Sequence, residues 1–61
     1  MTRHQHAAQQ LATAIAHLRL IERDQRAGIP VAAHRVAQAH RDVAHFRAVY
    51  TAVGELAATA A

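Results

Sequence analysis

From Ala32 to Ala57 the apolar positions of the chain recur at one alternating interval. Ala32, Val36, Ala39, Val43, Phe46, Tyr50, Val53 and Ala57 are separated by steps of four and three residues. A 3.5-residue period keeps one stripe of an α-helix turned toward a neighbouring helix along its length, so this spacing predicts a helix with a heptad seam. His34, Gln38, Arg41 and His45 fall on the opposite side, as a solvated face requires. In the first half, Ala7, Ala8, Leu11, Ala14, Ile15, Leu18 and Ile21 share one sector, while Gln9, Ala12, Ala16, Arg19 and Arg23 cover the other. A second amphipathic helix is predicted there.

The two patterns are interrupted once, at Ala27-Gly28-Ile29-Pro30. Glycine reaches the left-handed conformation that ends helices, and proline disfavours a helical residue before it. The expected organisation is a single domain over 1–61, with helix one at about 5–26, a turn at 27–30 and helix two at about 30–58. Pro30 is placed in the first helical turn, where its missing N–H costs nothing. Folding helix one back sets Ile21 opposite Val36, Leu18 opposite Ala39, Ala14 and Ile15 opposite Val43, Leu11 opposite Phe46, and Ala7 and Ala8 opposite Tyr50. The fold class is therefore all-α, a two-helix antiparallel hairpin. Its association seam combines the eight positions of helix two with Leu11, Ile15, Leu18 and Ile21.

Composition limits what such a hairpin does alone. Of 61 residues, 32 are hydrophobic, but 17 of these are alanine and only 15 are larger. One core in a chain below about 70–80 residues rarely contributes more than ~3–5 kcal/mol. No cysteine is present to supply a disulfide or a thiolate metal ligand. Val49, Leu56 and Ala60 also widen the apolar surface beside the seam. A two-helix layer cannot cover both sides of its own stripe, so a partner is expected. The first expectation is a homodimer forming a four-helix bundle; a higher homo-oligomer or a different protein partner follows it. The corresponding function is a noncatalytic interaction module: a small adaptor, regulator or assembly component.

Charge adds a second expectation. Seven arginines, no lysine, four acids and six histidines give a net +3 with histidine neutral. Arg19, Arg23 and Arg26 lie along helix one, and Arg35 and Arg41 lie on helix two; arginine forms paired hydrogen bonds to phosphate. An RNA- or DNA-binding face built from these five is the secondary expectation. In length and layout the chain resembles the small RNA-binding helical hairpins of plasmid copy control, which dimerise into four-helix bundles. The resemblance covers the hairpin outline without a shared sequence motif, so it assigns no residue. A helix-turn-helix reading of Arg26 to Val36 fits less well, because His34 stands where that motif places an aliphatic core residue and no third helix is available.

Other chemistry finds little footing. His40 and His45 are five residues apart, which does not put both on one helical face. Glu22, Asp24, Asp42 and Glu55 form no catalytic motif, serine is absent, and there is no glycine-rich phosphate loop. No catalytic, cofactor-binding or metal-binding residue is assigned, and no cofactor is expected. The most apolar stretch, Leu11 to Ile21, is broken by His17 and Arg19, so no span, export signal or membrane partner is expected. The expected location is the cytoplasm, or a virion if the chain is phage-encoded.

Overall fold

The computed structural model describes residues 2–60, Ala60 in its backbone alone. Met1, Ala61 and the side chain of Ala60, which the sequence assigns to the apolar flank, lie outside the described residues. Two helices make up the fold, α1 over Arg3–Arg26 and α2 over Ala33–Ala60, with no strand among the described residues. They pack against each other along a rod measuring 48 × 18 × 14 Å. One open groove joins Ala14 to Asp42 and Phe46, and another joins Ala7 to Val49 and Val53. Early positions of α1 thus meet late positions of α2, which makes the pair antiparallel and close to the expected register.

Helix α1 starts two residues earlier than expected because Thr2 and Gln5 cap it reciprocally. The Gln5 amide donates to Thr2 Oγ1 at 3.1 Å, and the Thr2 amide donates to Gln5 Oε1 at 3.0 Å. This capping box satisfies two of the backbone donors that a helix start leaves without partners. At the other end, Ile29 N–H donates to the Asp24 carbonyl at 2.8 Å and Gly28 N–H to the Gln25 carbonyl at 3.1 Å. These two bonds form a Schellman motif, for which Gly28 supplies φ +80°.

The start of α2 corrects the expected boundary at Pro30. Residues 29–32 are not helical, and α2 begins at Ala33, with the Ala32 carbonyl accepting from Arg35 and Val36 N–H at 3.0 and 3.2 Å. Ile29 is committed to closing α1 and is disfavoured from helical geometry by Pro30. The extended residues then carry the chain across the ~8–10 Å that separates packed helices. Toward the C-terminus, α2 runs two residues past the expected end at 58.

Among the described residues, five side chains are buried: Ala7, Ala14 and Ile21 at seven-residue spacing on α1, and Ala39 and Val43 on α2. Ala7 and Ile21 are each 3% exposed and Ala39 1%, so tight packing occurs toward both ends of the seam. Leu11, Ile15, Leu18, Val36, Phe46, Tyr50 and Val53 are half-buried, whereas Ala32 and Ala57 are exposed. The covered stripe on α2 is therefore shorter than the sequence pattern. Ala32 precedes the helix, and Ala57 lies near the level where α1 begins.

Replacing Ile21 with alanine should cost about 2–5 kcal/mol through lost burial and a residual cavity, enough to lower the thermal midpoint sharply in so small a fold. Leu20→Ala, at a neighbouring position that is 56% exposed, should change stability by no more than about 0.5 kcal/mol. Circular-dichroism melts of the two variants check this contrast; equal shifts would place the helix contact on the wrong face of α1.

Candidate functional site

Two surface regions combine apolar and charged side chains outside the buried seam. The first lies on the C-terminal half of α2. Phe46, Val49, Val53 and Leu56 repeat the three–four spacing beside the main seam, sharing Phe46 and Val53 with it. Helix α1 offers polar residues at this level. Grooves beside Val49, Val53, Leu56 and Ala57 are lined from α1 mainly by Thr2, Arg3, His4, His6 and Gln10. Leu56 is consequently 64% exposed, while Val49 and Val53 are only half-buried.

The second region is an open groove on α1. Its floor is Ala12, Ile15, Ala16 and Leu20, and Arg19, Arg23 and Arg26 stand around it together with Glu22. Spacings of four and three residues place those arginines on one side of the helix within about 10 Å of its length. Arg23 and Arg26 also occupy the last turn of α1, where cations interact favourably with the helix dipole.

Arg35 and Arg41 do not join this group. Six residues separate them on α2, a rotation of about 240° around the helix, so they present different sides. Arg41 is engaged locally: its guanidinium donates to Gln38 Oε1 at 3.0 Å, and Gln38 Nε2 donates to Asp42 Oδ1 at 2.8 Å. The five arginines expected on one face thus divide into a cluster of three and two separate positions. The six-residue separation of Arg35 and Arg41 is itself readable from sequence; only the place of each relative to the α1 cluster depends on how the helices are rotated together.

The histidines are integrated into the helices. His4, set in the first turn of α1 by the capping box, stacks at a tilt against Tyr50 with ring centroids 4.9 Å apart. The alignment of Tyr50 with Ala7 and Ala8 alone misses this contact; the Thr2-x-x-Gln5 spacing was the signal that ordered helix begins early enough to provide it. His45 meets Phe46 edge-on at 5.1 Å. His6 and His17 line a groove with Gln9, Gln10, Thr13, Asp42 and Phe46. Among the described residues, no group of three or more His, Cys, Asp or Glu side chains is placed to hold a metal ion. No helix among them is long and apolar enough to cross a membrane.

Comparison with known protein families, curated proteins and solved structures finds no match for this chain.

The local network around Arg41 leads to a specific expectation. Gln38→Ala removes both side-chain hydrogen bonds from an exposed site and should destabilise the hairpin by no more than about 1 kcal/mol, while releasing Arg41. Backbone amide and guanidinium NMR signals check it, with broadening expected at Arg41 and unchanged shifts at Ala39 and Val43. Shifts spreading into the buried seam would mean that the network supports the fold itself.

Proposed function

We propose that the chain is a noncatalytic assembly module that pairs with a second copy through the C-terminal half of α2, closing a four-helix bundle. The observation that carries this reading is the wide apolar flank of α2, where Leu56 remains 64% exposed opposite the polar start of α1. A second hairpin supplies what α1 lacks there, a facing row of aliphatic side chains. Two-fold pairing is economical because each copy contributes the same patch.

The dimensions agree with this reading. A compact 61-residue domain has a radius of gyration of about 10–11 Å, whereas the hairpin has 14.3 Å, the shape of a layer awaiting cover. Such a module acts as an adaptor, a regulator or an assembly component by holding two ends of a bundle in fixed relation.

Light-scattering mass measurement should give twice the chain mass, and Leu56→Asp should raise the dimer dissociation constant by about tenfold or more by introducing an unpaired charge. Because Leu56 is exposed in the single hairpin, the substitution should leave monomer helicity intact. A monomeric mass throughout, or a dimer indifferent to this change, would refute the assignment.

The grouping of Arg19, Arg23 and Arg26 favours a second reading, a basic bundle that binds RNA or DNA through α1. It predicts that Arg19→Gln with Arg23→Gln lowers nucleic-acid affinity and reduces the slope of log affinity against log salt by about two. An unchanged slope would remove that reading while leaving self-association untouched.

A further inference from the structure

The turn end of the rod has an unusual composition. Residues 27–33, Ala-Gly-Ile-Pro-Val-Ala-Ala, contain no polar side chain, and all except the half-buried Val31 are exposed. Ile29 alone is 52% exposed. Connections at a protein surface are ordinarily polar, and a continuous exposed apolar run calls for a functional cause. Gly28 at φ +80° closes α1, and an apolar residue and a proline commonly follow such a stop, yet Ile29 remains 52% exposed.

Charge is concentrated at the same end. Residues 19–41 carry five arginines against Glu22 and Asp24, whereas the rest of the chain carries Arg3 and Arg47 against Asp42 and Glu55. With histidine neutral, this stretch carries +3, or +2 of the net +3 once Asp42, which the Gln38 network ties to Arg41, is counted with it. Arg26 and Arg35 bracket the apolar run closely, and Arg23 stands about 4.5 Å farther along α1. The start of α2 adds to the positive field, since its first turn contains no acid and Ala32 has no side-chain oxygen to cap it.

We infer that this end docks on an anionic lipid bilayer, with Ile29, Pro30 and Val31 entering the acyl boundary and the arginines meeting headgroup phosphates. The arginines are distributed around the rod, with a cluster on α1 and Arg35 and Arg41 on different sides of α2. Arg23 and Arg26 on α1 with Arg35 on α2 put cations beside the turn on both helices, which suits a flat anionic surface met end-on. A nucleic-acid groove is met instead by one face. The headgroup layer is roughly 5–8 Å deep, which encloses the level of Arg26, Arg23 and Arg35 once the turn reaches the acyl boundary. Arg19 and Arg41 stand higher but remain within about a Debye length of the surface.

Exposed Leu20 lies beside Arg19 and Arg23 and extends the apolar contact if the rod tilts toward α1. The sequence expectation of no membrane partner rested on the lack of a spanning segment, and end-on docking needs none. This inference is independent of dimerisation, because Leu56 and the α2 flank lie toward the other end of the rod.

Flotation with phosphatidylcholine vesicles, with and without phosphatidylserine, tests the proposal using the full chain. Binding should require phosphatidylserine and fall at high salt. Arg23→Gln with Arg26→Gln should weaken partitioning by about twentyfold or more, and Ile29→Ser by about fivefold. The chain has no tryptophan, so Ile29→Trp adds a single indole whose emission should shift to the blue on anionic vesicles alone. Absence of binding to anionic vesicles at low salt would overturn the inference. So would binding that survives Ile29→Ser while the indole emission stays unshifted, because that describes a bare ionic contact without insertion.

Discussion

Close approach of two helices through small side chains is the constraint on which the rest of this molecule depends. Three of the five buried residues are alanine, and only Ile21 and Val43 add larger volume. Alanine costs little side-chain entropy and lets backbones approach, but it removes little apolar surface from water. The hairpin is consequently well defined in direction and poor in core. Its remaining stability must come from helix propensity, terminal caps and whatever covers its outer apolar positions.

The terminal devices of the two helices are unequal. At the start of α1, Thr2 and Gln5 satisfy each other's backbone donors, and at its end the Schellman bonds, Arg23 and Arg26 all favour the helix. The α2 start has no acid in its first turn and places His34 and Arg35 near the positive pole of the helix. The turn end thus concentrates positive charge and apolar exposure while the opposite end concentrates the aliphatic flank of α2.

Much of the fold was legible because the dominant information is periodic. The four–three spacing from Val36 to Val53 and the break at Gly28 specify two helices and the faces that meet. The boundary at Pro30 was misplaced because proline is compatible both with a first helical turn and with an extended connector; Ile29's bond to Asp24 decides for the connector. Ala32 and Ala57 obey the heptad spacing yet remain exposed, since periodicity does not report where the partner helix ends. The arginine face was legible only in part: Arg19, Arg23 and Arg26 share a helix side by spacing, whereas their relation to Arg35 and Arg41 depends on how α1 and α2 are rotated together.

The central claim is that an alanine-based hairpin is completed by association, and its most direct measurement is thermal unfolding across a hundredfold range of protein concentration. A fold stabilised by a second copy should melt at progressively higher temperature as concentration rises, because mass action favours the associated native state. Melting at the same temperature throughout, with a monomeric mass, would contradict the account and show that the thin seam of Ala7, Ala14, Ile21, Ala39 and Val43 is sufficient by itself.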